Sequence, residues 1–375
     1  MKIAIVHDWF VNYMGSEKCV ESFVNIYKDA DVFGLVDFLN DYERSIIVKG
    51  KKINTTFIQK LPFAKKAYRN YLPLYPFAVE QHDLNNYDVI VSSSHSVAKG
   101  VSTNHNQLHI CYCHTPMRYA WDLYHQYIKE SNLEKGVKGW LAKYFLHKIR
   151  IWDYSSANRV DYFLANSKYI ARRIKKVYNR DAEVIYPPVD VNKFEFTGSK
   201  DDYYLIVARF VPYKKVDRVV EAFSKMPDKK LKVIGSGPDE QKVKKHASAN
   251  IEFMGYCSDE VMVKTMQNAR AFIYAAEEDF GITIVEAQGA GTPVIAYGAG
   301  GACETVIDGK TGILFKEQTC ESLIDAVKYF ELHEREFDNT FIYQHAQQFS
   351  RENFEKNIRN FVESKCKDFF RAQVL

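Results

Sequence analysis

Apolar and polar positions along this chain switch repeatedly between a two-residue and a 3.6-residue period, which predicts strands alternating with helices. In the first half, short apolar runs mark strands near residues 2–7, 31–36, 89–94, 108–113 and 162–166, with helical spacing between them. The first helix shows it clearly: Cys19, Val20, Phe23, Val24 and Tyr27 recur at helical spacing while Glu17, Lys18, Glu21 and Asn25 face away. Tyr186-Pro187-Pro188-Val189-Asp190 then ends regular structure, and 196–202 is short and polar. The alternation restarts with strands at 203–208, 231–234, 251–253, 271–276, 294–296 and 312–315. A last helix over 353–370 carries Phe354, Ile358, Phe361, Val362 and Cys366 on one side.

The predicted fold is therefore α/β: two Rossmann-like domains with parallel sheets, 1–190 and 191–350, facing across a cleft, followed by a C-terminal helix in 351–375. At 375 residues the chain is long for a single core, which agrees with two. In open sheets of this kind ligands bind beyond the carboxyl ends of the strands. A net charge of +4 gives no support for a nucleic-acid partner. There is no 18-residue apolar run, and residues 1–7 are too short for a signal peptide, so a cytoplasmic protein is expected.

Seven cysteines form no Cys-x-x-Cys pair. Cys111 and Cys113 beside His114 raise the question of a metal, but they are read as pointing to opposite faces of a strand and hence as reduced, buried thiols. Asp29-Ala30-Asp31 matches a short metal-binding pattern, yet three residues recur by chance in a chain this long. No metal is expected.

Candidate chemistry concentrates in 274–296, where Glu278 and Glu286 stand eight positions apart across a strand-to-helix turn. Gly281 should open that helix and Gly291 close it, leaving the N–H groups of Phe280, Gly281 and Ile282 to face an anion. One carboxylate would then hold a sugar and the other a ribose. The plainer alternative makes Glu278 a solvated charge at the helix start and Glu286 a surface residue. Arg209 follows a strand at its carboxyl edge, where a guanidinium can grip phosphate oxygens, and Lys214 adds a second charge five residues on. In the turn after the first strand, Gly15 and Ser16 would let backbone amides approach a phosphate or sugar, although the Gly-x-Gly-x-x-Gly dinucleotide fingerprint is missing. Gly235-Ser236-Gly237 is a weaker glycine pair of the same type. His114 ends a strand and precedes a proline turn and a Tyr/Trp cluster, a good setting for a sugar.

The stretch 274–296 resembles the nucleotide-sugar signature of retaining GT-B glycosyltransferases of the family-4 type. Residues 207–217 resemble that family's Arg and Lys motif, with Lys215 standing where glycine is common, and 298–304 with 308–315 resemble its closing segment. Residues 114–124 resemble the counterpart in bacterial mannosyltransferases that build O-antigen and other surface polysaccharides. The resemblance implies a nucleotide-sugar donor as co-substrate, GDP-mannose ahead of UDP-hexoses, with no cofactor. It puts Arg209, Lys214 and the amides of 280–282 on the diphosphate, Glu278 and His114 on the sugar, Glu286 on the ribose, and Gly15, Ser16 and Gly235 nearby. Arg118, Tyr119, Trp121 and Asp122 would shape the side of a saccharide or lipid-diphosphate-linked acceptor. A front-face displacement that retains anomeric configuration follows, and the last helix should cross back onto the first domain. An epimerase or hydrolase of nucleotide sugars and a silent membrane adaptor are the competing readings on the same fold.

Two acid-free segments, 57–77 and 135–152, mix Lys and Arg with bulky aromatics and suggest that the first domain meets an anionic membrane surface on the inner face of the cell membrane. The alternative is that Trp140, Leu141, Tyr144, Phe145, Lys148 and Trp152 belong to a helix buried against its own domain.

Overall fold

The computed structural model describes residues 1–195 and 200–372; of the polar stretch 196–202, residues 196–199 lie outside the described residues. The chain divides into two compact units, Met1–Pro188 with Phe354–Leu375, and Val189–Asn353.

In the first unit seven parallel strands run β1 (Ile3–His7), β2 (Asp31–Gly34), β3 (Ile53–Thr55), β4 (Val89–Ser94), β5 (Leu108–Cys113), β6 (Tyr162–Ala165) and β7 (Ala182–Val184), in the order β3-β2-β1-β4-β5-β6-β7. β1, β4 and β5 are buried along their whole length, as expected for central strands covered on both faces. Alternate residues feed separate cores. Ile3, Ile5, Val89, Val91 and Tyr112 pack on one face with the helix Gly15–Ile26, and Ala4, Val6 and Ile90 on the other. β3 and β7 leave no mark in the pattern of apolar positions. Both are three-residue edge strands, and with a partner on one side only they carry too few apolar residues to register.

The C-terminal helix Arg351–Ala372 completes the first of these cores. Phe354, Ile358, Phe361, Val362 and Cys366, one stripe at helical spacing, are all buried in it. Phe354 meets Tyr112 edge-on at 5.5 Å, and the Tyr112 hydroxyl donates to Ile185 O at 2.9 Å.

In the second unit six parallel strands follow: β8 (Tyr204–Val207), β9 (Leu231–Ile234), β10 (Ile251–Gly255), β11 (Ala271–Tyr274), β12 (Val294–Tyr297) and β13 (Gly312–Phe315), in the order β10-β9-β8-β11-β12-β13. Each sheet reverses its direction of winding once, between β1 and β4 in the first and between β8 and β11 in the second. Loops leaving the two strands at such a point diverge to opposite faces of the sheet and open a crevice at its carboxyl edge.

Two sequence readings need correction. Cys111 and Cys113 are two residues apart on β5 and therefore share a face, both lying in one buried cluster with Phe163, Ile170 and Tyr178. Burial and a hydrogen bond with Cys111 push the Cys113 thiol well above its usual range, which suits a packing role. The second correction concerns the helix Gly136–Ser156. Of its aromatic residues, Trp152 packs against the core, whereas Trp140 is 65% exposed and Leu141, Tyr144 and Phe145 are exposed with it. Trp140 stacks on Tyr144 at 5.9 Å, and Lys148 lies over the same ring. The half of the helix nearest its N-terminus presents a basic, aromatic face.

Candidate active site

The switch point of the second sheet gathers most of the residues singled out above. Arg209 leaves β8 at its carboxyl end, exposed, and its side chain has no partner among the described residues. Its loop is pressed against the turn after β9: Phe210 N–H donates to Ser236 O at 2.9 Å. Only glycine permits that contact at residue 235, where φ is +135° and a Cβ would lie 1.9 Å from Ala208 O. The short helix Pro212–Lys214 then brings Lys214 back over the sheet edge.

Glu278 arrives from the opposite side, on the loop between β11 and the helix Ile282–Gly289. Its carboxylate pairs with the Lys214 ammonium and accepts the Tyr274 hydroxyl, and it is only 20% exposed. Glu278 is therefore held in the site, not a solvated helix-terminus charge. Its backbone is fixed from behind by the segment after β12: Gly301 N–H donates to Glu278 O at 2.8 Å, and a Cβ on Gly300 would come within 2.2 Å of that oxygen. At the helix start, Gly281 takes a left-handed conformation, and the N–H groups of Gly281, Ile282 and Thr283 have no hydrogen-bond partner among the described residues. Phe280 is buried against Phe349. The loops at this sheet edge thus carry an ammonium paired with a carboxylate, an exposed guanidinium and a row of unbonded amides, groups suited to a ligand with both negative charge and hydroxyl groups.

Glu286 lies one turn into the same helix, buried to 6% exposure, and its Oε1 is 3.0 Å from Lys193 Nζ. The surface reading of Glu286 is thereby corrected. Burial opposes the charge on Lys193, and the Glu286 carboxylate outweighs it, so the pKa of Lys193 is raised. Lys193 escaped the sequence analysis, because its partner is 93 positions away.

His114, Gly15 and Ser16 belong to the first unit, at the carboxyl edge of its sheet. His114 Nε2 is 2.8 Å from Ser93 Oγ, and its carbonyl accepts from Asn166 Nδ2 at 3.1 Å. Burial, reinforced by His95 and His7, holds its pKa well below the ordinary value, so the ring is neutral at pH 7. Gly15 and Ser16 open the helix Gly15–Ile26. The carboxylate of Glu17 folds back over that helix start, taking Met14 N–H at 3.1 Å and the Ser16 hydroxyl at 3.0 Å. His7 lies 3.6 Å from Glu17, beyond hydrogen-bond reach. Burial opposes the charge on both, yet their attraction prevails, raising His7 and lowering Glu17.

The same edge holds a group that the sequence did not reveal. Asp8, directly after β1, is fully buried and accepts the N–H groups of His95, Ser96, Val97 and Ala98 at 2.6–2.9 Å. His95 Nδ1 lies 3.0 Å from the same carboxylate. The pair spans the switch point between β1 and β4, and 87 residues separate its members. Beside it opens a cavity of about 290 Å³, lined by Trp9, Arg69, Tyr75, Arg118, Tyr119 and Tyr127, with His95 in its wall. Arg118 and Tyr119, expected at the acceptor side, line this cavity. Trp121 and Asp122 instead serve the packing around it: Trp121 Nε1 donates to the buried Asp153 at 2.7 Å, and Asp122 pairs with Arg173. Among the described residues no group of three or more His, Cys, Asp or Glu side chains is disposed to hold a metal ion.

Comparison with known proteins bears on the fold. Residues 39–193 match the family described as Glycosyltransferase Family 4, and residues 190–348 that described as Glycosyl transferases group 1. A glycosyltransferase of Methanocaldococcus jannaschii, MJ1178, described as uncharacterized, is 31% identical over 202 residues, covering 52% of this chain and 54% of the relative. A GDP-mannose-dependent monoacylated alpha-(1-6)-phosphatidylinositol monomannoside mannosyltransferase of Corynebacterium glutamicum is 30% identical over 195 residues, 44% of this chain and 51% of the relative. The chain spans about half the length of the curated relatives it matches. Among solved structures, Anabaena Alr3699/HepE in complex with UDP superposes with a TM-score of 0.71 at 18% identity, over 97% of this chain and 100% of that one. Sucrose-phosphate synthase of Thermosynechococcus elongatus gives 0.72 at 14%, over 98% and 100%. The fold is that of the GT-B glycosyltransferases.

Proposed function

We propose that this chain is a retaining glycosyltransferase that moves a hexose, mannose from GDP-mannose, onto a saccharide or lipid-diphosphate-linked acceptor in surface-polysaccharide synthesis. The observation that carries the reading is the Lys214–Glu278 pair across the second sheet's switch point, flanked by the exposed Arg209 and the unbonded amides of Gly281 and Ile282.

On this reading the diphosphate of the donor takes over Lys214, Arg209 and the helix amides, and Glu278, released from its ion pair, accepts hydroxyls of the sugar. Glu286 receives the ribose hydroxyls, and Gly235 lies near the nucleotide. As the glycosidic C–O bond breaks, charge grows on the leaving phosphate, where fixed cations and amides stabilise it with little reorganisation. A phosphate oxygen takes the proton of the acceptor hydroxyl on the face from which the phosphate leaves, so configuration is retained. No metal is needed, since Arg209 and Lys214 supply the positive charge.

Melting curves with a panel of nucleotide sugars, in excess chelator, test the donor site, because a ligand that binds only the folded chain raises its stability. GDP-mannose should give the largest rise, and Lys214→Ala should remove it. HepE has been solved with UDP-glucose, so UDP-hexoses are the competing donors in the panel. No shift with any nucleotide sugar would favour the silent adaptor, and free sugar released without acceptor would favour a hydrolase. Transfer abolished by chelator and restored by a divalent cation would overturn metal independence.

A further inference from the structure

The hydrogen bonds around Ser93 determine which nitrogen of His114 carries its hydrogen. Ser93, on β4, is fully buried, and its hydroxyl meets two imidazoles, His7 Nδ1 at 3.1 Å and His114 Nε2 at 2.8 Å. His7 Nδ1 is also 3.1 Å from Ser93 O. A carbonyl oxygen can only accept, so His7 Nδ1 carries a hydrogen and shares it between the carbonyl and the hydroxyl of Ser93. On the far side of the ring, His7 Nε2 faces the Glu17 carboxylate at 3.6 Å. Burial opposes a charge on His7 and Glu17 outweighs it, which favours a second hydrogen on the ring and leaves the first in place. The Ser93 hydroxyl cannot donate to a nitrogen that already bears hydrogen. Its one remaining acceptor among the described residues is His114 Nε2, and a buried hydroxyl hydrogen left without a partner is costly.

His114 Nε2 therefore accepts, and the single hydrogen of the neutral ring stays on Nδ1. The other groups around the ring leave that nitrogen free. The His95 ring, 6.2 Å away, has its Nδ1 3.0 Å from Asp8, Tyr112 lies edge-on at 5.2 Å, and Asn166 donates only to the His114 carbonyl. His114 is half-buried, and its Nδ1 has no hydrogen-bond partner among the described residues. We propose that Ser93 is a positioning residue: its hydroxyl, directed by His7, holds His114 in the tautomer with hydrogen on Nδ1, so that His114 donates a hydrogen bond to an oxygen of its ligand and offers that ligand no lone pair. A ring held in this way steadies the oxygen it touches and does not act on it as a base. The proposal rests on the transferase reading only for the identity of that oxygen, a sugar hydroxyl. The tautomer itself does not depend on it.

The tautomer is read on the full chain with nitrogen-labelled histidine, from correlations between the ring carbon-bound protons and the two ring nitrogens, in which a bare nitrogen and one bearing hydrogen resonate far apart. His114→Gln identifies the His114 signals by their loss. At pH 7 Nδ1 should bear the hydrogen and Nε2 should be bare. Ser93→Ala removes the donor to Nε2 and should shift the His114 population toward hydrogen on Nε2, whereas Ser93→Thr keeps the hydroxyl and should hold the original tautomer. Turnover with GDP-mannose should fall roughly fivefold to tenfold in Ser93→Ala, the worth of one neutral hydrogen bond, and recover in Ser93→Thr. Hydrogen on Nε2 in the unsubstituted chain, spectra of Ser93→Ala that match those of the unsubstituted chain, or an Nδ1 made bare on addition of GDP-mannose would each overturn the proposal. The spectra of the unsubstituted chain are recorded without ligand, so a failed donor site, seen as the absence of any melting shift, and a failed Ser93 relay give different results.

Discussion

Lys214 and Lys215 stand side by side in sequence and differ in everything the backbone does with them. Lys214 reaches Glu278, whereas Lys215 makes no ion pair among the described residues and sits at φ +56°, the left-handed conformation that favours glycine. That geometry explains why a glycine is common at this place in the resembled family. Lys215→Gly should therefore leave turnover unchanged and raise the melting temperature slightly, by relief of roughly 1 kcal/mol of strain. Lys214→Ala and Arg209→Ala should each reduce turnover by roughly 100-fold or more with little change in melting temperature, as expected when preorganised charge is removed. A loss of activity in Lys215→Gly with full activity in Lys214→Ala would reverse this register. The spacing from Arg209 was enough to single out Lys214. No spacing could have found Asp8 with His95 or Glu286 with Lys193, because their partners lie far apart in sequence and only the sheet order brings them together.

Elements set the precision of these sites through close backbone contacts. Gly235 locks the Arg209 loop to the turn after β9, and Gly300 locks the Glu278 loop to the segment after β12. Gly235→Ala combines an unfavourable φ with a Cβ placed 1.9 Å from Ala208 O, so the Arg209 loop must move. Donor affinity should fall by roughly tenfold or more, and the melting temperature should fall with it. Unchanged affinity in a titration with GDP-mannose would show that this loop does not position the phosphates. At the same scale, the central strands and the C-terminal helix were legible because their apolar residues keep strict spacing over a full element. The edge strands β3 and β7 were not, since three residues with one neighbour leave no period to read. The outward face of Gly136–Ser156 was ambiguous for a different reason: aromatics at helical spacing look the same in sequence whether they point to a core or to solvent.

At the scale of the molecule, the exposed aromatics and lysines of the first unit bear on where it works. Lys65, Lys66, Lys138 and Lys148 are exposed together with Phe63, Phe77, Trp140 and Tyr144. No helix among the described residues is long and apolar enough to cross a membrane. Each basic group near an anionic leaflet contributes about 1 kcal/mol, and interfacial aromatics add apolar burial. Sedimentation with anionic liposomes should therefore show binding that weakens at high salt and on reversing Lys65, Lys66 and Lys138, with Arg69 left intact so that the cavity is unchanged. Absence of binding at any ionic strength would refute the membrane reading. The first unit should also be the acid-sensitive part of the chain. Burial holds His82 and His109 at a pKa of about 4, below the ordinary 6.5, and His82 Nε2 has no partner among the described residues. Between pH 6.5 and pH 4 both rings are neutral when folded and protonated when unfolded, so the unfolded chain binds more protons and stability falls as the pH falls through that window. Each contributes at most about 3 kcal/mol. The raised pKa of His7 works in the opposite sense, whereas the lowered pKa values of His95 and His114 in the same unit add to the loss. Because the four tryptophans all lie in the first unit, their emission during urea unfolding follows that unit alone. The midpoint should drop between pH 7 and pH 5, and His82→Leu, which keeps an apolar neighbour for Phe33 and removes the titrating ring, should flatten the dependence. A midpoint independent of pH across this window would show that these histidines are not held neutral in the folded chain.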